Sequence, residues 1–143
     1  MSWLYRLADR ARHRARMRRW DPAQAAGRRG EDLAHRYLER RGFTVVARNY
    51  RPPSGGGEID LVAWQGDTLV FVEVKSRGND EYGAPDRNVN QEKRAALLRA
   101  GRDYARRASV PWERVRFDLL SILFTEPPSI NHRADAFTTL QTL

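Results

Sequence analysis

Hydrophobic and polar residues alternate along two neighbouring stretches, Glu58 to Trp64 and Thr68 to Arg77, and this period of two marks both as strands. Gln65-Gly66-Asp67-Thr68 joins them with the Gly-Asp centre of a tight two-residue turn, so the pair reads as one hairpin. If Gln65 faces Thr68, then Trp64 meets Leu69, Val62 meets Phe71, Asp60 meets Glu73 and Glu58 meets Lys75. One face then carries Glu58, Asp60, Glu73 and Lys75 together with Val62, Leu69 and Phe71. The other carries Ile59, Leu61, Val70, Val72 and Val74. A sheet that is apolar on both faces is buried on both, which calls for a covering helix on each side.

The rest of the chain supplies such helices. From Gln24 to Arg41 the apolar period is helical: Leu33, Ala34, Tyr37 and Leu38 share a face with Gly27 and Gly30, and Glu31 falls at its margin. Gly42 ends this helix, and Phe43 to Tyr50 reads as a first strand. Pro52 to Gly57 is a flexible loop, and Ser76 to Asn90, rich in Gly, Pro, Asn and Asp, is a mobile one. Asn88 and Gln91 have the spacing of a helix-start capping pair. A second helix follows to about Ala108, with Ala95, Leu98, Gly101 and Ala105 inward and Arg94, Arg99, Arg102 and Arg106 outward, and Pro111 breaks it. Arg114 to Phe124 is a further strand, and Ile130 to Thr138 adds a short edge strand. The expected class is α/β: a mixed β-sheet flanked by helices in the order α-β-β-β-α-β(-β).

Composition changes this picture in two ways. With no cysteine, neither disulfides nor thiolate metal sites are available. The longest apolar runs, such as Leu119 to Phe124, are strand-sized, and the N-terminal stretch lacks the apolar core of a signal peptide. The expectation is a cytoplasmic protein with no membrane span. The net charge of +8 points towards anionic partners, but residues 1–20 alone hold +6 of it, leaving +2 for the other 123 residues. Residues 1–21 are therefore read as a basic arm, disordered or helical, and 22–143 as a single domain. Such an arm follows phosphates or an anionic membrane surface, or is simply a solvated tail.

The chemistry is expected on the hairpin. Opposed residues in an antiparallel pair have Cβ atoms roughly 5 Å apart, so Asp60 and Glu73 repel unless a cation sits between them. Hard divalent cations such as Mg²⁺ take oxygen donors, commonly one or two carboxylates plus substrate phosphate oxygens. Asp60 and Glu73 supply two, the main-chain carbonyl of Val74 a third, and Glu31 a further one; the alternative for Glu31 is a surface carboxylate paired with Arg28 or His35. Lys75 would orient or deprotonate an attacking water, or stabilise a pentacovalent phosphorus. The plain alternative for the whole set is a solvated sheet face with a Glu58–Lys75 salt bridge, but the apolar remainder of that face argues against it. Ser76 and Arg77, just beyond the strand, are candidates to contact the strand being cut. Lys93, at the start of the second helix, is a candidate phosphate contact or a solvated lysine. Asp118 and Arg116 read as a structural pair. His13, His35 and His132 are scattered and form no ligand pair, and Gly55-Gly56-Gly57 lacks the Lys-Ser/Thr of a phosphate-cradling loop.

An aspartate followed about a dozen residues later by Glu-x-Lys, after a helix with an inward Glu, resembles the PD-(D/E)xK nuclease superfamily. More closely, Gly27-x-x-Gly30-Glu31, Asn49-x-Arg51, Gly57-Glu58-Ile59-Asp60-Leu61, Phe71-Val72-Glu73-Val74-Lys75-x-Arg77, Lys93 and Arg116-Phe117-Asp118 resemble the YraN family, also called UPF0102, which is similar to archaeal Holliday junction resolvases. The match spans about residues 24–137. It implies a restriction-endonuclease-like core and an active-site set of Glu31, Asp60, Glu73 and Lys75. It further implies Mg²⁺ or Mn²⁺ as cofactor, branched or otherwise structured DNA as partner, and a homodimer by analogy. Arg51, Ser76, Arg77 and Lys93 become the candidates for nucleic-acid contact. Asp60 follows Ile59 rather than the proline that names the superfamily. The rival expectation is a non-catalytic nucleic-acid-binding accessory that keeps the nuclease fold.

Overall fold

A computed structural model describes residues 22–78 and 91–137. The basic arm, the loop over 79–90 with the Asn88 cap, and the chain beyond 137 lie outside the described residues. The elements follow the expected order: α1 (Pro22–Arg40), β1 (Thr44–Tyr50), β2 (Ile59–Gln65), β3 (Thr68–Arg77), α2 (Gln91–Arg107), a 3₁₀ turn (Trp112–Arg114), β4 (Val115–Leu123) and β5 (Ser129–Arg133). The five strands form one sheet in sequential order. β1–β2, β2–β3 and β4–β5 are antiparallel, whereas β3–β4 is parallel. A parallel neighbour needs a crossover, and α2 provides it.

The hairpin register is the one counted from the turn: Gln65↔Thr68, Trp64↔Leu69, Val62↔Phe71 and Leu61↔Val72. As expected, each face has its own helix. On one side α1 packs Ala34 and Leu38 against Leu61, Ala63, Val70, Val72, Leu120 and Ile122. On the other, α2 packs Leu97, Leu98 and Ala105 against Val62, Leu69, Phe71, Phe117 and Leu119. β3, in the middle, is therefore apolar on both faces over Leu69–Val72.

Two glycines set how close the helices lie. A Cβ on Gly30 would come within 2.7 Å of Ser76 Cβ, and one on Gly101 within 2.7 Å of a Phe117 ring carbon. Only the missing side chain lets α1 cross the end of β3, and α2 cross the Phe71–Phe117 pair, at this distance. Helix α1 ends with Gly42 at φ +88 and a Phe43 N–H to Leu38 C=O bond of 3.0 Å, while α2 ends in the same way on Ser109 at φ +58, before Pro111 is reached.

Two departures from simple alternation matter for the site. In β1 the register shifts between Val45↔Ala63 and Ala47↔Val62, so Val46 is an extra residue. This bulge leaves Val46 and Ala47 both against the α2-side core and turns Arg48 towards α1. In β2 the alternation fails at Asp60: Ile59, expected on the α1 face with Leu61, instead joins Val62 and Phe71 on the α2 side. The reason is that the β2–β3 ladder stops at Leu61↔Val72, and beyond it the Val74 N–H is taken by the Asp60 side chain rather than by β2 backbone.

Candidate active site

The point where the hairpin opens is also where its acidic residues gather. Asp60, the second residue of β2, accepts a hydrogen bond at Oδ2 from the Val74 N–H, 2.8 Å away. This substitutes a side chain for a ladder bond, satisfies the orphaned amide and fixes the carboxylate between the parting strands. Glu73, on β3, is buried at 4% exposure and is the only carboxylate besides Asp118 in the described core. Burial raises the Asp60 pKa well above its ordinary value, and the charge of Glu73 raises it further. The charges of Glu31 and Glu58 push in the same direction, and the Val74 N–H opposes them. Four acidic residues from α1, the β1–β2 connection, β2 and β3 thus converge on one end of the sheet.

Glu73, Glu58 and Glu31 each have a cationic neighbour, of different quality. Lys93, in the first turn of α2, places Nζ 2.5 Å from Glu73 Oε1. Burial lowers the ammonium pKa, but its hydrogen bond with Glu73 and the charges of Glu73, Asp60 and Glu58 outweigh that and raise it overall. Lys93 is thus neither a freely solvated lysine nor simply a phosphate contact; it is Glu73's counter-ion. Glu58 pairs with Arg51 at 3.0 Å, not with Lys75 as the counted register suggested, because the ladder does not extend that far. Arg51 remains exposed on the outer side of that pair, at 74%.

Glu31 projects from the margin of α1's apolar face. Burial raises its pKa, against the lowering effect of Arg48, Arg28 and a hydrogen bond from the Asn49 side chain. Its Oε1 is buried without a hydrogen-bond partner, and Arg48 Nη2 lies 3.9 Å off. Arg48 itself is anchored on Asp32 at 2.8 Å. The surface pairing considered for Glu31 with His35 does not occur; His35 sits 3.4 Å from Glu39. Asn49 has φ 54, a left-handed conformation that asparagine tolerates better than most residues and that aims its amide at Glu31. Arg48 was not among the expected site residues. Strict alternation places it on the wrong face, and only the bulge at Val46 directs it to Glu31.

Lys75 is half-buried two residues beyond Glu73 and pairs across the parallel ladder with Ser121. Ser76 lies directly under Gly30 of α1, and Arg77 closes β3, its carbonyl accepting the Phe124 N–H at 3.0 Å. Asp118 is structural, as read: fully buried, it accepts from Arg116 at 2.8 and 2.9 Å, lies 2.7 Å from His132 Nε2, and accepts the Asp135 N–H at 3.0 Å. His132 in turn lies 3.3 Å from the Tyr37 hydroxyl, tying β5 to α1.

The donor set suits a hard divalent cation, since the acids gathered at the opening offer oxygen donors and, among the described residues, neither Asp60 nor Glu73 is paired with an arginine. A buried, unbonded Glu31 oxygen and a charge-stressed Asp60 are both groups that a cation would satisfy. Among the described residues no three Asp, Glu, His or Cys side chains close on a single point. The fit is therefore to an ion held by Asp60 and Glu73 with main-chain and solvent or phosphate oxygens, not to an all-protein cage.

Residues 30–122 match the model of "Uncharacterised protein family UPF0102". A UPF0102 protein of Solibacter usitatus is 52% identical over 134 residues, covering 94% of this chain and 97% of its own length. One from Rhodococcus opacus is 44% identical over 115 residues, covering 79% and 96%. One from Dictyoglomus thermophilum is 35% identical over 104 residues, covering 73% and 86%. The matched segment contains Glu31, Asp60, Glu73, Lys75 and Lys93.

Proposed function

This chain belongs to the UPF0102 family, and we propose that it is a metal-dependent endonuclease that hydrolyses phosphodiester bonds of DNA, with branched or otherwise structured DNA as substrate. The observation that carries this reading is the opened end of the β2–β3 hairpin. Asp60 and Glu73 are held together there at an electrostatic cost, and Asp60 is fixed by the Val74 N–H. A fold gains nothing from paired, buried acids; a cation-binding site requires them. The resemblance to PD-(D/E)xK nucleases supports the same assignment of roles.

Asp60 and Glu73, with the Val74 main-chain oxygen, would hold Mg²⁺ or Mn²⁺, and Glu31 would reach the ion through one of its waters. When bound, such an ion lowers the pKa of water and neutralises phosphate charge. Lys75 would orient the attacking water and stabilise charge at phosphorus. The water oxygen bonds to phosphorus as the P–O bond to the leaving sugar breaks, and the leaving oxygen takes up a proton. Arg48 would hold Glu31 in place through its contact with the same stretch of α1. Recognition would rest on backbone charge and shape, and symmetric cutting of a junction would require two copies of the chain. No helix among the described residues is long and apolar enough to cross a membrane.

The test is incubation of the full chain with a labelled four-way junction, a flap and plain duplex in Mg²⁺ or Mn²⁺. Cleavage is expected, and it should disappear in Asp60→Ala and Glu73→Ala. No cleavage of any substrate, or cleavage that survives both changes, overturns the assignment. One observation favours a second reading, a non-catalytic DNA-binding accessory: Lys93 already neutralises Glu73 at 2.5 Å. That reading predicts salt-sensitive DNA binding without metal-dependent cutting.

A further inference from the structure

A second site stands apart from the carboxylates. A cleft of about 470 Å³ runs along the outer side of α2, lined by Arg99, Arg102, Arg106, Asp103, Val110 and Trp112. The arginines recur at the three- and four-residue spacing that puts them on one helix face. Three guanidinium groups around one cleft repel unless something anionic answers them. Among the described residues the only carboxylate in the lining is Asp103, and it is already engaged by Arg106 and Arg107, each at 3.0 Å, and by the Tyr50 hydroxyl. Arg99, among the described residues, reaches a neutral backbone oxygen, Gly56 C=O, at 3.4 Å. Arg102 stacks over the Trp112 ring with its guanidinium carbon 4.5 Å from the centroid. A guanidinium over an indole ring beside an apolar wall, with exposed arginines on either side, offers a π-surface for a base and charge for the adjoining phosphates.

We propose that this cleft binds an unpaired strand of DNA, with a base stacked on the Arg102–Trp112 pair and flanking phosphates on Arg99 and Arg106. The inference rests on the nucleic-acid reading of the carboxylate site and narrows its substrate class. At a helical rise of 1.5 Å per residue, Arg99, Arg102 and Arg106 lie about 9, 13.5 and 19.5 Å along α2 from Lys93, which sits on Glu73. At about 3.4 Å per stacked nucleotide, the roughly 10.5 Å between Arg99 and Arg106 along the helix spans about three nucleotides. The preferred substrate is then duplex that adjoins a single-stranded segment, such as a flap or an open branch.

The experiment measures binding of a fluorescein-labelled 12-nucleotide single strand and of the matching blunt duplex by anisotropy, using the full chain in EDTA so that nothing is cut. Arg99→Ala/Arg102→Ala should weaken single-strand binding at least about tenfold and duplex binding much less. A strand carrying 5-bromouracil should crosslink to the peptide containing Trp112 in the wild-type protein, a readout that needs no variant to fold. Unchanged single-strand affinity, an equal loss on duplex, crosslinks only elsewhere, or competition by a free nucleoside monophosphate as strong as by the strand would each overturn the proposal. Cleavage is scored separately in Mn²⁺. If binding falls in the variant but the wild type cuts nothing, the nuclease reading fails and the cleft stands; if Asp60-dependent cutting is present and binding is unaltered, only the cleft fails.

Discussion

Replacing Asp60 by Asn should stabilise the metal-free protein at neutral pH and abolish its response to metal. The Glu73 charge acts on Asp60, and side chains that face each other where two strands adjoin stand about 5 Å apart. At an effective dielectric of about 20, two unit charges at that separation repel by about 3 kcal/mol. Lys93 on Glu73 cancels part of this, leaving about 1–2 kcal/mol to be gained by removing the Asp60 charge. Asn keeps an oxygen that can accept the Val74 N–H, so the one bond that fixes the loop is preserved. For a chain of this size that gain corresponds to a rise in Tm of about 3–6 °C.

The pH dependence gives a sign that packing effects would not mimic. Asp60's folded pKa is raised above the ordinary value near 3.8. The penalty is therefore absent below that value, grows as pH rises through the interval, and is complete above the folded pKa. The advantage of Asp60→Asn should accordingly be present at pH 7.5 and vanish below about pH 4. With Mn²⁺ at about a hundred times its dissociation constant, the wild type should gain about 2.7 kcal/mol, and the variant nothing. Thermal unfolding followed by circular dichroism in EDTA, at both pH values, and in Mn²⁺ checks all three. A variant that melts below the wild type in EDTA at pH 7.5, or that gains as much from Mn²⁺, would refute the reasoning.

Other outcomes follow from the same geometry. Gly27→Ala should stabilise by up to about 1 kcal/mol through helix propensity, since nothing lies within 4 Å of the added Cβ. Gly30→Ala, whose Cβ would sit 2.7 Å from Ser76 Cβ, should instead destabilise by about 1–2 kcal/mol; urea titration of the two variants and of Gly30→Ala/Ser76→Gly, which should recover most of the loss, decides this. Asp118→Ala should cost about 3–5 kcal/mol because Arg116 and His132 lose a buried partner. Burial raises the Asp118 pKa, but its bonds to His132, Arg116 and the Asp135 N–H lower it overall. Its contribution is present above pH 3.8 and is lost as pH falls through the lower folded value, which an acid titration of wild type and variant should reveal. Lys93→Ala should lower stability in EDTA by about 2 kcal/mol, discounted for the lysine's partial exposure, and should tighten Mn²⁺ binding measured by calorimetry, because it removes the cation that competes for Glu73.

Much of the architecture was legible from the sequence because it depends on local chemistry. The Gly-Asp turn in Gln65-Gly66-Asp67-Thr68 specified the hairpin and its register, and a slip by one residue would have moved Val62 and Phe71 from the α2 side to the α1 side. The apolar residues on both strand faces announced a helix on each side, and the helical period of Leu33, Ala34, Tyr37 and Leu38 identified the stripe that α1 buries. The acidic residues were visible for the same reason: charges at core-facing positions of a buried strand stand out against the pattern.

Which charge meets which was decided only by the tertiary structure. Arg48 reaches Glu31 and Asp32 because a bulge at Val46 reverses its face, and a bulge leaves no mark in a pattern read two residues at a time. Ile59 crosses to the α2 side because the ladder ends at Leu61, where the Asp60 carboxylate outcompetes β2 backbone for the Val74 N–H. Lys93 neutralises Glu73 from twenty residues away, a contact set by how closely α2 lies on the sheet, which Gly101 permits. Periodicity is a property of neighbours along the chain and can be read there; the partner of a buried charge depends on distances between elements, and those exist only once the chain has packed.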